Sequence, residues 1–502
     1  MGGTPTAPSP RSPADASRPR RRPPLPPGPY LIAGVARAGQ AAARALAAVP
    51  GADVRAWDRA DSARTQRAAA GLAEAGVAVS LGGDGADLLD ASPAPHCLVK
   101  SPGIGFDVAL VAAAQARGLP VLDELEVGWR LDRRPVVAVT GTNGKSTVCE
   151  LVRAALAAAG GRPGLAGNTA FGPPLSGLPA DAADVVVAEV SSLQLEGSPA
   201  FLPEVAVLTN LSQDHLDRHR TMAAYAAAKR RIALRDEAHA PVAVVGVRER
   251  FGRDLARDLR AAGTRVLTVG GAGRSDAGLK GWEPAPGGAR VHLRLGGEPV
   301  EARTLLTGEH NARNVVTALA VAEALGLPRQ ATLTALARTA APPGRLERVA
   351  EGPVEVLVDY AHNPDGIREA LRAARARCPE PGARLHVVAS ALRVLTTRQR
   401  RAMGRAAAEG SDRLVLSLDR IHPAEPPDAL PPGLEAGARA AGAAEVHVVP
   451  DRRAAIADAI AAARPGDVVA ILGRGERAHT VDAAGEVAPV DDRQAAREAL
   501  RA

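Results

Sequence analysis

Aromatic side chains are scarce in this chain, which has four Phe, three Tyr and three Trp among 502 residues. Its apolar surface must come from Ala, Gly, Val and Leu, small side chains that suit stacked α/β layers. Cysteine is almost as rare. Cys97, Cys149 and Cys378 lie far apart and lack the paired spacing of a zinc site or a disulfide framework, so redox chemistry is not expected. No apolar run approaches the roughly twenty residues of a membrane helix, and arginines and prolines stand where a secretory signal needs an apolar stretch. A soluble, cytoplasmic protein without a membrane partner is expected. No short internal repeat is present.

The formal charge of +7 suggests nucleic acid until it is located. Residues 1–28 carry Arg11, Arg18, Arg20, Arg21 and Arg22 against Asp15 alone, in a Pro- and Ser-rich stretch with too little apolar surface to order itself. This reads as a disordered basic tail, and no nucleic-acid partner is expected. The remaining length exceeds what one core usually fills. From Pro29 onward short apolar runs alternate with Ala-rich helical stretches, the pattern of βαβ units on parallel sheets. Three blocks separate: 29–131, 132–341 and 342–502, the last after the Pro342-Pro343-Gly344 interruption. The predicted fold class is α/β in three domains: a Rossmann-like first domain, a central P-loop ATPase domain on a mainly parallel sheet, and a Rossmann-like third domain. Residues 240–300 carry no recognisable chemistry.

The centre of the chain is more specific. Gly141-Thr142-Asn143-Gly144-Lys145-Ser146-Thr147 follows an apolar strand and opens a helix. Glycines let backbone amides turn inward around phosphate oxygens, and the helix N-terminus adds partial positive charge. Lys145 would reach the β- and γ-phosphates and the Ser146 hydroxyl would ligate magnesium. The general pattern has a further glycine where this chain has Val139. A strand ending in Glu189 and another leading to Asp214-His215 deliver carboxylate and imidazole ligands beside this loop. Alone, Glu189 could be a cap, His215 a buried hydrogen-bonding residue and Lys229 a solvated helix lysine. Arg345 can clamp a phosphate, with Asp359 at a strand end orienting it or a ribose. Near the start, Gly34-Val35-Ala36-Arg37-Ala38-Gly39 is a weak dinucleotide turn, with Asp58 at a spacing suited to a ribose or base. No residues for hydride transfer accompany it.

Thr140-Gly141-Thr142-Asn143-Gly144-Lys145-Ser146-Thr147 resembles the ATP loop of the Mur ligases, relatives of folylpolyglutamate and cyanophycin synthetases. Over about residues 29–490 the resemblance implies ATP and Mg2+ as cofactors. Catalysis falls to Lys145, Lys229 and His215, with Ser146, Glu189, His215 and a carbamylated Lys229 around the metal. It places Asn311 and Asn314 near adenine. Val99-Lys100-Ser101-Pro102-Gly103 is similar to the segment flanking the uridine diphosphate. The resemblance then puts the diphosphate on Ala36, Arg37, Ala38 and Gly39, the uracil by Asp58 and Arg59, Ser101 and Gly103 at the nucleotide, and Asn168 at the sugar-peptide.

Ser191-Ser192-Leu193-Gln194-Leu195 is like the glutamate-adding branch, which implies UDP-N-acetylmuramoyl-L-alanine and D-glutamate as substrates of a monomer. The third domain departs from that branch. It has Asp359-Tyr360-Ala361-His362-Asn363-Pro364, like the third-residue-adding enzymes, in place of Asp-Ser-Lys-Ala-Thr-Asn. Ser390-Ala391-Leu392-Arg393 replaces a glycine-rich turn, Gly473-Arg474-Gly475-Glu476 only partly matches Gly-Lys-Gly-His-Glu, and Asp419-Arg420-Ile421-His422-Pro423 is not Asp-Asn-Pro-Arg. L-glutamate or a diamino acid as the amine, and a nucleotide-binding relative without catalysis, are the alternatives.

Overall fold

The computed structural model describes residues 22–501 except 236–237, 272, 274, 351, 379–380, 393–394, 420–429, 443–444 and 482–486. Residues 1–21 of the basic tail, Arg393, and Arg420 through Pro423 lie outside the described residues.

The first sheet is wholly parallel. It comprises β1 (Tyr30–Ala33), β2 (Val54–Asp58), β3 (Ala78–Leu81), β4 (Cys97–Lys100) and β5 (Val121–Asp123), in the order β3-β2-β1-β4-β5. The strand order reverses between β1 and β4, which opens a crevice at their C-terminal ends, where Gly34–Gly39 and Ser101 lie.

The central sheet is built on β6 (Val136–Thr140), whose five residues are all buried. With β7 (Pro163–Gly167), β8 (Val185–Glu189), β9 (Val205–Leu208), β10 (Val242–Gly246), β11 (Arg265–Gly271) and β12 (Ala277–Ala285) it runs parallel, in the order β12-β11-β10-β9-β6-β8-β7. Two antiparallel strands, β13 (Gly288–Leu295) and β14 (Glu298–Thr304), extend it at one edge. Gly296 and Gly297 turn between them with φ of 59° and 90°, the left-handed pair of a tight hairpin. Val137, Val139, Val187, Val205 and Val207 pack against Val148, Leu151 and Val152 of the helix Lys145–Ala158 and against the helix Glu309–Leu325. Each fully buried side chain of this size contributes roughly 1.5–3 kcal/mol before entropy is counted. Many small contacts thus replace the missing aromatics and seat the phosphate loop on a rigid floor.

The third sheet has the order β15-β16-β20-β17-β18-β19, with β15 (Glu347–Ala350), β16 (Glu355–Asp359), β17 (Leu385–Ala389), β18 (Arg413–Leu416), β19 (Glu445–Val448) and β20 (Val468–Leu472). All of its neighbours are parallel except the edge pair β15/β16. The α/β class and the three sheets agree with the sequence reading. The expected disordered tail of residues 1–28 is corrected at its end, because Arg22 is buried. It donates to the carbonyls of Trp129 (2.8 Å) and Asp132 (2.5 Å), lies over the Trp129 ring, and pairs with Glu204 at 3.8 Å. A guanidinium satisfied by carbonyls and a carboxylate can be buried where a solvated one would not be. Order therefore begins before Pro29. No helix among the described residues is long and apolar enough to cross a membrane.

Candidate active site

The loop Gly141–Gly144 leaves β6 and enters the helix Lys145–Ala158, whose cap Gly144 makes no side-chain capping bond, so the first-turn amides stay open to an anion. Gly141 and Gly144 have φ of 148° and 85°, and a Cβ would sit 1.9 Å from Thr209 Oγ1 at the first and 2.4 Å from Asn314 Oδ1 at the second. The loop is pinned from β9. Thr209 donates to the Asn143 carbonyl (2.7 Å), and Asn210 Oδ1 accepts the Asn143 amide (3.0 Å). Thr142 Oγ1 contacts the Ser212 carbonyl and the Tyr225 hydroxyl at 3.1 and 3.2 Å. Lys145 folds over its own loop, donating to the Gly141 and Thr142 carbonyls at 3.1 and 2.9 Å. These are weak partners for an ammonium, and a phosphate oxygen is a stronger one.

Ser146 donates to Glu189 Oε2 at 2.7 Å, so the hydroxyl and the carboxylate expected at a metal do meet at the ends of β6 and β8. Among the described residues no group of three or more His, Cys, Asp and Glu is arranged to hold a metal. Two oxygens beside a phosphate loop still suit Mg2+, which takes few protein ligands and fills its shell with phosphates and water. Among the described residues neither of the other two expected ligands bonds to that pair. Lys229 is buried under the loop, donating to the Gly141 carbonyl (2.8 Å) and Thr140 Oγ1 (3.4 Å), with its Nζ over the Tyr225 ring. Burial and the neighbouring Lys145 push its pKa well down, which favours the neutral amine. His215 sits in a left-handed turn, φ 49°, with Nε2 3.7 Å from Asp214 Oδ2. Its burial lowers its pKa.

Asp214 is a site residue that the sequence reading passed over. Its buried carboxylate lies 3.5 Å from His362 Nε2 and 3.5 Å from Asn363 Nδ2, both in the third domain. Against the cost of burial, the bond to His362 and the charges of His362, His215 and Lys145 hold its pKa well below the usual carboxylate range. Asn363 also donates to Asn143 Oδ1 at 3.0 Å, and Asn143 Nδ2 reaches Asp365 at 3.5 Å. The segment 362–365 therefore docks on the phosphate loop itself. Only its strand-end position hinted at this.

A cavity of about 350 Å³ opens between the loop and the third domain, lined by Gly144–Thr147, Glu189, Asn311, Asn314, Arg345 and Asp359 among others. Asn314 donates to Asn311 Oδ1 (3.1 Å), and Asn311 to the Thr307 carbonyl (2.9 Å). Beside them the His310 ring is held near a pKa of about 4 by burial and Arg313. Residues 240–300 are a correction: Gly246, Arg248, Glu249, Val269–Gly271 and Leu279 form one wall of this cavity. Glycines and a leucine at strand ends offer a flat surface and backbone groups, which no motif announces. Arg345 pairs with Glu476 at 2.5 Å, reaches Ser146 Oγ at 3.4 Å and lies over the Tyr360 ring. Asp359 accepts the amides of Leu346 and Ala361, both at 2.7 Å. Burial raises its pKa.

In the first domain Gly39 packs so tightly that a Cβ would lie 1.7 Å from the Gly34 carbonyl, and Ser101 Oγ donates to that same carbonyl at 3.1 Å. The helix Arg37–Ala47 starts at Ala36 without a side-chain cap, which leaves the amides of Ala36 to Gly39 facing the crevice. Asp58 takes the amides of Val35 (2.9 Å) and Ala60 (3.0 Å), so it braces the turn. Arg59 and Gly103 are exposed. The Arg37 side chain turns to the central domain, donating to the Thr169 carbonyl at 2.8 Å, beside the exposed Asn168. The Ser191–Leu195 run also has a local explanation, since Ser191 and Gln194 form a reciprocal capping box on the helix Ser192–Glu196.

Residues 139–322 match the family description "Mur ligase middle domain" and residues 344–475 "Mur ligase, glutamate ligase domain". A 2,6-diaminopimelate ligase acting on UDP-N-acetylmuramoyl-L-alanyl-D-glutamate from Streptomyces coelicolor is 34% identical, covering 86% of each chain. A UDP-N-acetylmuramoylalanine–D-glutamate ligase from Anaeromyxobacter dehalogenans is 37% identical, covering 64% of this chain and 69% of its own. The solved UDP-N-acetylmuramate–alanine ligase of Thermotoga maritima superposes with a TM-score of 0.60 at 18% identity, over 94% of this chain and 98% of that one. Folylpolyglutamate synthase of Mycobacterium tuberculosis complexed with ADP gives 0.52 at 23% identity, over 68% and 88%.

Proposed function

Because the chain belongs to the Mur ligase family, we propose that it joins D-glutamate to UDP-N-acetylmuramoyl-L-alanine in an ATP-dependent step of peptidoglycan precursor synthesis. The observation that supports the ATP-dependent step is the open phosphate loop with the Ser146–Glu189 contact at its edge, roofed by Arg345 of the third domain, and the choice of D-glutamate follows the resemblance of Ser191–Leu195 to the glutamate-adding branch. ATP would lay its β- and γ-phosphates on the amides of Gly144 to Thr147, where Lys145 exchanges two carbonyls for phosphate oxygens. The substrate carboxylate attacks the γ-phosphorus and ADP departs. The amine of the amino acid then attacks the acyl carbon, loses a proton, and inorganic phosphate leaves as the amide forms. Charge builds on the transferring phosphoryl oxygens in the first step and on the acyl oxygen in the second, and Lys145, the amides and Arg345 are placed to offset it. Magnesium, held by Ser146 and Glu189, would add a further positive charge at the phosphates.

Lys229 is positioned to support this machinery. Its depressed proton affinity makes the neutral amine available to carbon dioxide, and a carbamate there would place an anion beneath the phosphate loop. The first-domain turn would hold the uridine diphosphate, with the helix start at Ala36 facing its charge.

A second reading has a specific basis: the Streptomyces relative spans more of this chain, and Asp359–Pro364 resembles the third-residue-adding enzymes. The test is phosphate release from ATP and magnesium with UDP-N-acetylmuramoyl-L-alanine and D-glutamate, L-glutamate or diaminopimelate in turn. Diaminopimelate is also paired with the D-glutamyl-extended nucleotide. Release with D-glutamate alone is the expected result. Release with another pair moves the chain to that specificity, and silence with every pair overturns the ligase reading.

A further inference from the structure

The turn that begins at His215 is held under strain. Three non-glycine residues among those described have positive φ, and two of them, His215 at 49° and Arg220 at 65°, bracket the single helical turn Leu216–His219. Such backbone persists only where its surroundings over-determine it. Here the surroundings are side-chain bonds. Arg218 donates to Glu196 Oε2 from Nε at 3.2 Å and from Nη2 at 3.1 Å, and His219 Nδ1 lies 3.2 Å from Glu196 Oε1. His219 Nε2 is 2.8 Å from the Ser192 hydroxyl. Against the cost of burial, the bonds from His219 and Arg218 hold the Glu196 carboxyl below its usual range. One carboxylate therefore fastens two consecutive residues of the turn.

Arg218 also crosses to the first domain. Its Nη2 donates to the Ile104 carbonyl at 3.3 Å, and a Cβ on Gly105 would sit 2.5 Å from its Nη1. Ile104 belongs to the short loop after Ser101 and packs on the first-domain anion turn, where a Cβ on Gly34 would lie 2.7 Å from Ile104 Cδ1. The carbonyl of Gly197, next to Glu196, accepts the amide of Asp123 at the end of β5, a second crossing at the same place. On the other side the His219 ring lies 5.1 Å from that of Tyr225, whose hydroxyl meets Thr142 of the phosphate loop at 3.2 Å. Ile104, Arg218, Glu196, His219, Tyr225 and Thr142 thus form one unbroken series from the anion turn to the phosphate loop. At its centre stands the half-buried Glu196–Arg218 pair.

We propose that the Glu196–Arg218 pair couples the two nucleotide sites, holding the loop at Ile104 against the turn at His215 so that a nucleotide sugar bound at Gly34–Gly39 raises the affinity of the phosphate loop for ATP. This rests on the reading above, in which the first domain holds uridine diphosphate. The physical basis is shared ordering. A ligand that braces the anion turn also fixes Ile104, and Arg218 passes that restraint to the strained turn, so the second ligand has less freedom left to remove. Neither side chain is among the described residues that line the cavity beside the phosphate loop, so both are positioning residues that act through their neighbours.

The test is calorimetric titration of the full-length protein with magnesium and the β,γ-methylene analogue of ATP, alone and at saturating UDP-N-acetylmuramoyl-L-alanine, then in the reverse order. In the wild type each ligand should tighten the other by the same factor, about fivefold or more. Arg218→Ala should bring that factor below about twofold, while each ligand binding alone stays within about twofold of the wild type. Glu196→Gln, which keeps the size of the side chain, should lower the factor in the same direction, and Arg218→Lys should retain part of it. The double variant should be no worse than Arg218→Ala, since both changes break one link. Independent binding in the wild type, an undiminished factor in Arg218→Ala, or a matching loss of affinity for each ligand alone would overturn the proposal while leaving the ligase reading intact. If Arg218→Ala does not fold, Glu196→Gln decides by the same criteria. If the wild type binds UDP but not UDP-N-acetylmuramoyl-L-alanine, the substrate reading fails and the same titrations with UDP decide the coupling; if it binds neither, both fall.

Discussion

The phosphate loop and the third-domain segment Asp359–Asp365 face each other across one cavity but are built in opposite ways. The loop is a contiguous seven-residue run whose donors are backbone amides, fixed by two glycines that no other residue could replace. The third-domain side is an assembly of side chains, with Arg345 over the Tyr360 ring and paired with Glu476, and with His362 and Asn363 against Asp214. Each of its charges is positioned by another. Backbone donors bind any phosphate and can be kept while the amine changes. A side-chain lattice is easily rewired. This contrast fits a chain that matches the family descriptions of both domains while its relatives differ in the amino acid they add.

The largest expected effect strikes the loop. Lys145→Ala should lower kcat by at least about a hundredfold, with an unchanged melting temperature, because the side chain is placed to act on the phosphates while its bonds among the described residues are to two loop carbonyls. Retention of ADP release in that variant would remove the loop from the chemistry. The next effect falls on the scaffold. Arg22→Ala removes a buried guanidinium that donates to the carbonyls of Trp129 and Asp132 and faces Glu204, leaving those acceptors without it, and should cost about 3 kcal/mol in urea unfolding, with kcat preserved. A change in kcat with no loss of stability would make the segment part of the site instead.

The smallest effect is a matter of pH. Glu124 is buried at the junction of the first and central domains, accepting the Ser176 amide and hydroxyl at 2.7 Å each, and burial raises its pKa from 4.5 to about 7. The fold prefers its neutral form, so this contribution is fully present below about pH 4.5 and is lost as pH rises through about 7. Glu124→Gln should therefore flatten the fall in stability between pH 5 and pH 8. Parallel curves for the two proteins across that range would show that Glu124 does not titrate there.

Much of the central domain was legible because its signals are local. A valine-rich strand, a glycine loop and a helix start lie within a dozen residues, and Glu189 and His215 follow as strand-end residues. The parts that were missed have a common character. Asp214 reads as an ordinary acid in a polar run until His362 and Asn363 arrive from the third domain, and Gly270 and Gly271 read as loop filler until they line a cavity. Arg22 resembles its neighbours in a basic stretch, and its contacts with Trp129, Asp132, Arg134 and Glu204 distinguish it. The Ser191–Gln194 run shows the converse: a pattern that stands out in the sequence and is occupied, in the fold, with capping its own helix.

The sequence by itself determined the layered α/β architecture, since small apolar residues at strand and helix spacing have no better way to leave water, and it determined the phosphate loop, since that geometry needs only adjacent residues. Tertiary structure alone decided which carboxylates meet which cations, that Asn143 is clasped by Asn363 across 220 positions of chain, and that His362 comes to lie 3.5 Å from Asp214. The physical reason is range. Backbone conformation is set over a few residues, whereas the energy of a buried charge depends on every group packed around it, wherever in the chain those groups originate.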